Sequence, residues 1–138
     1  MTEQKILQTG KTRWSHYNLA YHLVWIPKYR RKILTGEVIK ETKRLIHECA
    51  EKHELKILAL ETDIDHVHVF VSAPPRISPA KIAGLLKGYS SRHLRLAFPH
   101  LKNKCGKYQL WTKAYYIGTA GNTSAQVIRR YIEECQGE

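Results

Sequence analysis

Two histidines separated by one residue, His66 and His68, are the side chains in this sequence best suited to hold a metal ion. Successive side chains of a strand alternate between faces, so both imidazoles lie on one side while Val67 faces the other. Two residues at ~3.3 Å each place their backbones ~6.6 Å apart, within reach of a single ion. On spacing alone, a metal site and an ordinary pair of half-buried histidines both remain open. Asp65 either supports one imidazole or simply begins the strand.

A candidate nucleophile, Tyr131, lies near the end of the chain. It follows Ile128 by three residues and Val127 by four, on the apolar side of a predicted helix, so it is either a packed core aromatic or a reactive phenol. A phenol can attack a phosphodiester when a metal neutralises the developing charge, which leaves a covalent phosphotyrosine. Tyr115 and Tyr116 are rival aromatics, but a strand interior favours core packing for both.

The charge balance indicates a polyanionic partner. Among 138 residues, 23 Lys and Arg stand against 12 Asp and Glu, which gives a net charge of +11 and a pI near 9.7. The chain is also 43% hydrophobic, enough for one folded domain. Such a basic domain most often binds nucleic acid, although a merely basic surface is the alternative that composition leaves open.

Cysteine usage and hydropathy indicate where the protein works. Cys49, Cys105 and Cys135 are odd in number and lack CxxC spacing, which favours a reducing interior over a disulfide framework or a structural zinc site. No apolar run is long enough to span a bilayer, and residues 1–5 do not resemble a signal peptide. We therefore expect a cytoplasmic protein with no membrane partner.

Hydrophobic periodicity divides the chain into an arm and one domain. Residues 1–14 show no clear period and are predicted to form a flexible basic arm, which leaves 15–138 as a single domain. The pattern predicts, in order, a strand over 17–26, a helix capped by Thr35, strands over 56–61 and 65–73, a helix from Ser78-Pro79 to Phe98, a polar loop over 100–110, a strand over 114–119 and a last helix ending near Cys135.

The order β-α-β-β-α-β-α is typical of an α+β fold with a ferredoxin-like (RRM-like) antiparallel sheet. Its helices cover one face of the sheet, and a C-terminal helix carries Tyr131. Val67, Val69 and Val71 would bury against the helices. The histidines are therefore expected to project from the opposite face, which this arrangement leaves free.

Four segments together resemble a known family: Tyr21-His22-Leu23-Val24-Trp25, Asp65 followed by His66-Val67-His68, Lys87-Gly88, and Tyr131-Ile132-Glu133. In this order and in a chain of this size they are similar to the single-tyrosine HUH transposases of small insertion sequences, the IS two-hundred / IS six-hundred-and-five family. The resemblance covers about residues 15–136. It implies a homodimer that acts on single-stranded DNA and recognises hairpins at the ends of the element.

The resemblance also implies a role for each matching residue. His66 and His68 would hold a divalent metal, Mg²⁺ or Mn²⁺, against the scissile phosphate. Tyr131 would attack to give a 5′-phosphotyrosine and a free 3′-hydroxyl, and rejoining would complete a metal-dependent strand transfer. In this family the tyrosine helix commonly completes the partner subunit's site, so the homodimer would be catalytic as well as structural. No nucleotide cofactor is implied.

The third metal ligand is where this sequence departs from the family. A glutamine usually stands four residues after the tyrosine, but here that position is Cys135, and Gln136 comes one later. At ~100° per residue, four steps return within ~40° of Tyr131, whereas five steps land ~140° away. Glu134, three steps on, lies within ~60° and offers a hard oxygen, while cysteine is a poor Mg²⁺ ligand. The candidates for the third metal ligand are therefore ranked with Gln136 first by resemblance, Glu134 second by helix geometry and Cys135 last.

Basic side chains near the predicted strands and helices are candidate phosphate contacts, namely Lys28, Arg30, Arg31, Lys87, Arg92 and Arg95. Any one of them is otherwise an ordinary solvated side chain. Trp111 and Tyr89 either stack on bases or belong to the core.

A second class of function is a non-catalytic module that binds single-stranded nucleic acid, since ferredoxin-like sheets also carry RNA-recognition domains. That function predicts stacking aromatics on the free sheet face. The predicted strand over 65–73 places two imidazoles, one aromatic (Phe70) and Ser72 there, which favours the enzyme. A metal-dependent hydrolase that uses water is a third option and would need no tyrosine.

Overall fold

The computed structural model describes residues 10–11, 16–17, 19–119 and 133. It contains six strands and three helices in these ranges, together with a 3₁₀ turn at Lys28–Arg30. The elements are β1 (Gly10–Lys11), β2 (His16–Tyr17), β3 (Ala20–Trp25), α1 (Gly36–Lys52), β4 (Lys56–Asp63), β5 (His66–Ser72), α2 (Pro79–Ala97), α3 (Leu101–Cys105) and β6 (Tyr116–Thr119).

The predicted α+β, ferredoxin-like class is confirmed. Four strands form one sheet in the order β4-β5-β3-β6, and every neighbouring pair is antiparallel. The helix α1 crosses from β3 to β4, and α2 lies between β5 and β6 in the chain. This order places β5, the strand with the histidines, in the middle of the sheet between β3 and β4.

One face of the sheet packs against α1 and α2 to form the core. Val67, Val69 and Val71 are fully buried there, as the alternation predicts. Burial of each such side chain stabilises the fold by ~1.5–3 kcal/mol. Cys49 and Cys105 are buried free thiols, and burial raises the pKa of each to about 11.

The opposite face is more covered than the sequence suggests. Val24 is 0% exposed and Phe70 is 4% exposed, although neither belongs to the core cluster with the helices. The register of β3 against β5 aligns Val24 with His68 and His22 with Phe70, so all four side chains share this second face. The expectation of a free face is therefore wrong around the histidines, which are half-buried.

The ends of several elements differ from the sequence prediction. The strand expected from residue 17 begins at Ala20, and His16–Tyr17 pairs instead with Gly10–Lys11 in a separate two-stranded sheet. The predicted start of α2 is confirmed, because the Ser78 hydroxyl accepts a hydrogen bond from the Lys81 amide at 3.1 Å.

The segment 100–110, predicted as a polar loop, contains the helix α3. Leu101 and Cys105 lie one turn apart on its buried face and are 1% and 0% exposed, while lysines occupy its exposed positions. Because lysines dominate this segment, its short amphipathic pattern was not recognised from the sequence. Most of the predicted arm (1–14) and of the predicted last helix lies outside the described residues; Glu133 alone of that helix is described, as helical and exposed.

Candidate active site

The two histidines predicted as a metal site lie side by side on the second face of β5. Both side chains are largely covered, with 23% of His66 and 18% of His68 exposed. Val67 between them is buried on the helix face. The alternation of the strand thus sends both imidazoles to the same side, where each meets different neighbours.

His66 is oriented by Asp65, the residue before it. The Asp65 carboxylate is 3.2 Å from His66 Nδ1, and its other oxygen accepts a hydrogen bond from Arg30 Nε at 2.7 Å. Burial raises the pKa of Asp65, but the hydrogen bonds from Arg30 and His66 outweigh burial, so the pKa lies below its ordinary value. The carboxylate is therefore ionised at neutral pH and leaves His66 Nε2 facing outward from this pair.

His68 is oriented by the strands on either side. Its Nε2 lies 3.0 Å from His22 Nδ1 on β3, and its Nδ1 lies 3.9 Å from a Glu61 carboxylate oxygen on β4. The His22 ring in turn stacks on Phe70, with ring centres 4.4 Å apart and planes 5° apart. Burial, followed by the neighbouring His22, lowers the pKa of His68, so this imidazole is neutral at pH 7 and able to bind a cation.

His22 is a site residue that sequence reasoning missed. The segment Tyr21–Trp25 entered only through the family resemblance, and the strand alternation did place His22 on the same face as Val24. What the sequence lacks is the register between β3 and β5, which brings together two histidines 46 positions apart.

The histidine pair fits two positions of a divalent metal site. Both present ring nitrogens on one face, and each has one nitrogen held by a neighbouring side chain, as in many metal centres. Within the described residues no three His, Cys, Asp or Glu side chains converge on one point. A third ligand would come from elsewhere; the predicted Gln136 and Glu134, and the nucleophile Tyr131, lie outside the described residues.

The predicted basic contacts fall into two groups. Lys28, Arg30 and Arg31 lie on a turn beside Asp65, where Arg30 points to the carboxylate. Tyr29 and Arg30 in this turn have φ angles of 59° and 52°. The left-handed conformation costs ~1–2 kcal/mol for each residue with a side chain, and such strain is concentrated at functional sites.

The second basic group lies on α2. Arg92 is exposed, and Arg95 donates to the carbonyls of Ser91 and Lys107 at 3.2 and 2.8 Å. The Lys87 ammonium donates to three backbone carbonyls, those of Thr112, Lys113 and Ala114, at 2.8, 3.1 and 3.4 Å. All three of its protons are therefore engaged within the protein, whereas Arg92 faces solvent.

The two aromatic residues weighed as stacking candidates both contact the core. Trp111 is 4% exposed, donates to the Ser90 hydroxyl at 3.0 Å and packs edge-on against Trp25. Tyr89 packs partly against the core and donates to Glu48. Trp111 is thus unavailable to a base.

Solved structures define the class of domain. A structure from Deinococcus radiodurans, solved as a candidate transposase, aligns with a TM-score of 0.83 at 35% identity and covers 91% of this chain and 96% of its own. The REP-associated tyrosine transposase bound to a REP hairpin aligns with a TM-score of 0.55 at 13% identity, covering 93% of this chain and 70% of its own. The second likeness concerns the fold alone.

Sequence relatives define the family. The family profile "Transposase IS200 like" matches residues 15–135. The ISDra2 transposase TnpA of Deinococcus radiodurans is 36% identical over 92% of this chain and 91% of its own length. The transposase for insertion sequence element IS200 of Salmonella typhimurium is 35% identical over 97% of this chain and 87% of its own. The chain therefore belongs to the IS200-like transposase family.

Proposed function

We propose that this transposase cleaves and rejoins single-stranded DNA at hairpin-marked ends of an insertion sequence through a 5′-phosphotyrosine intermediate. The observation that carries the proposal is the pair His66 and His68 on one face of β5, each ring held by a neighbouring side chain. Family membership supports the transposition of DNA, and a solved protein of the same fold is described as bound to a hairpin. Among the described residues, no helix is long and apolar enough to cross a membrane.

The nucleophile in this proposal is the Tyr131 phenol. A bond forms from its oxygen to phosphorus as the bond from phosphorus to the 3′ oxygen breaks; the phenol gives up its proton, and the 3′ oxygen leaves as a hydroxyl. One phosphodiester replaces another, so the energy needed to rejoin ends is kept. The reverse attack by a 3′-hydroxyl releases the tyrosine and joins new ends.

The proposal includes a metal and a dimer. His66 and His68 would hold Mg²⁺ or Mn²⁺ with Gln136, or with Glu134 as the alternative. When bound, the ion supplies Lewis-acid neutralisation of the charge that develops on the scissile phosphate. In a homodimer, Tyr131 of one protomer would complete the site of its partner.

The non-catalytic binding module is the less favoured function. An RNA-recognition sheet presents exposed aromatics for stacking, but Phe70 on the histidine face is 4% exposed and covered by the stacked ring of His22. That aromatic is not available to a base.

Covalent capture tests the proposal. The protein is incubated with Mg²⁺ and single-stranded DNA that carries a hairpin, and a protein–DNA adduct is sought on a denaturing gel. We expect Tyr131→Phe to form no adduct. Tyr116→Phe is the matched control, because Tyr116 pairs with Val24 in the sheet and shares the histidine face. Adduct formation by Tyr131→Phe would refute the assigned nucleophile.

The histidines are tested in the same assay. His66→Ala and His68→Ala should abolish cleavage but retain hairpin binding, because both change a metal-ligating group rather than a basic contact. Cleavage without adduct in the parent protein would indicate a hydrolase, and binding without cleavage would indicate a module. Loss of hairpin binding in both variants would assign the histidines to DNA contact or folding instead.

A further inference from the structure

Two exposed tyrosines lie on adjoining loops, one of which is next to Asp65. Tyr29 is 51% exposed and Tyr108 is 75% exposed, whereas most large apolar side chains of the described chain are buried. The strained left-handed conformation at Tyr29 turns its ring outward while Arg30, the next residue, points inward to Asp65. Backbone strain is concentrated at functional sites, so the exposed ring of Tyr29 is a candidate for contact with a ligand.

Hydrogen bonds join the two loops. The Lys28 amide donates to the Leu110 carbonyl at 2.9 Å, and Arg31 Nε donates to the Lys104 carbonyl at 3.2 Å. A cleft of about 320 Å³ lies between the turn and the loop, with Lys28, Tyr108 and Lys113 among its lining residues. We call the turn 28–32 and the loop 104–113 together the loop surface.

The loop surface is strongly basic. Neither segment contains an Asp or Glu. Apart from Arg30, which pairs with Asp65, the loop surface carries three Lys or Arg beside Tyr29 and three beside Tyr108: Lys28, Arg31, Lys32, Lys104, Lys107 and Lys113. Lys28 and Arg31 lie 5.5 and 5.7 Å from the Tyr29 ring centre, and Lys107 lies 5.3 Å from that of Tyr108. An aromatic ring flanked by cations can stack on a base while the cations bind the adjoining phosphates.

The turn 28–32 of the loop surface also lies beside Asp65, the residue before His66. A second cleft, of about 390 Å³, is lined by Tyr29, Arg30, Lys32 and Asp65. Asp65 contacts His66. A chain that stacked on Tyr29 would thus lie in a cleft that is also lined by Asp65, the neighbour of His66.

We propose that the loop surface binds the unpaired segment of the DNA substrate, with Tyr29 and Tyr108 each stacking on a base. The ligand class rests on the proposed function. One alternative is that the loop surface contacts the phosphates of the paired hairpin stem, and another is that it contacts a second protein. In both cases, DNA binding by the two tyrosines would not depend on unpaired bases.

Binding measurements without metal test the inference, so that cleavage plays no part. The probes are a fluorescent hairpin with an unpaired tail and the same hairpin with blunt ends. Tyr29→Ala and Tyr108→Ala should each weaken binding of the tailed probe by about five- to a hundredfold and leave the blunt probe unchanged. Tyr29→Phe and Tyr108→Phe should keep most of the affinity, because phenylalanine retains the stacking face.

Controls separate stacking from misfolding. Leu96→Ala removes another exposed apolar side chain, 65% exposed on α2, and should not change binding of either probe. Abasic positions in the tail should abolish the difference between the parent and the alanine variants. Equal loss for both probes, or no loss for either, would overturn the inference. Loss confined to the tailed probe would uphold the loop surface even if the adduct assay showed no covalent chemistry.

Discussion

His68 is held by side chains from both neighbouring strands of the sheet. His22 contacts it from β3 at 3.0 Å and Glu61 lies 3.9 Å away on β4. His22 is itself fixed by its stack on Phe70. In metal centres such neighbours determine the ring plane and the tautomer of a ligating histidine. At the scale of single residues, His22 would therefore act as a positioning residue for His68 in the proposed metal site.

Substitution of His22 tests this role through metal binding alone. His22→Phe keeps a ring to stack on Phe70 but removes the nitrogen, so affinity for Mn²⁺ should fall by about 10- to 100-fold. His22→Asn keeps a polar atom near the position of Nδ1 and should recover part of the affinity. The measurement is calorimetric titration of the DNA-free protein with Mn²⁺. Unchanged affinity in His22→Phe would remove His22 from the site.

Lys87 acts at the scale of elements, because it joins α2 to the segment that enters β6. Its ammonium donates to the carbonyls of three consecutive residues, 112–114, and lies 5.1 Å from the centre of the Tyr115 ring. β6 pairs directly with β3, the strand of His22. Lys87 thus fixes the segment that leads into β6 against α2.

Lys87→Met keeps the length of the side chain but removes its donors. Because three hydrogen bonds from the buried ammonium are then lost, the free energy of unfolding should fall by ~1–3 kcal/mol. Chemical denaturation measures the change, with Lys81→Met on the exposed side of α2 as the control. Equal stability of the two variants would contradict the role of Lys87.

The difference in free energy of unfolding between the parent protein and Lys87→Met should also depend on pH. Burial lowers the pKa of Lys87 from its ordinary 10.5 to about 8. Between these values the unfolded chain binds more protons than the folded protein, so the parent's free energy of unfolding should rise with pH relative to Lys87→Met. Repeating the denaturation at several pH values across this window checks the sign. If the stability difference between the parent and Lys87→Met became smaller as pH rises, the lowered pKa of Lys87 would be contradicted.

Charge is divided unevenly over the whole molecule. No Asp or Glu occurs between residues 66 and 132, whereas α1 alone carries four glutamates, two of which pair with Arg44. The net charge of +11 is thus concentrated in the part of the chain after β5 begins and on the turn before α1. Positive charge grouped in this way attracts a polyanion such as DNA.

The salt dependence of DNA binding should follow this asymmetry. Each phosphate contact on a single strand contributes ~0.7 to the slope of log affinity against log salt concentration. The double variant Lys104→Ala/Lys107→Ala should therefore lower the slope by about 1.4 if both lysines bind phosphates. Lys40→Ala/Lys43→Ala removes equal charge from α1 and should leave the slope nearly unchanged. Anisotropy titrations over a series of salt concentrations measure the slope for each double variant. Equal slopes for the two double variants would contradict a localised DNA interface.

Sequence by itself determined the facing of strand residues and the start of one helix. The alternation of Val67, Val69 and Val71 determined which way His66 and His68 face, and Ser78-Pro79 determined where α2 begins, because both patterns depend on neighbours within a few residues. The order of elements was also sufficient for the ferredoxin-like class, since few topologies bury these faces.

Only the tertiary structure decided the surroundings of the histidines. The contacts of His68 with His22 and of Asp65 with Arg30 join residues 46 and 35 positions apart, and no local period encodes the register that creates them. The same holds for the covered second face and for the three carbonyls that accept hydrogen bonds from Lys87. Each depends on which distant segment packs alongside, and burial there is a property of the folded chain rather than of any segment.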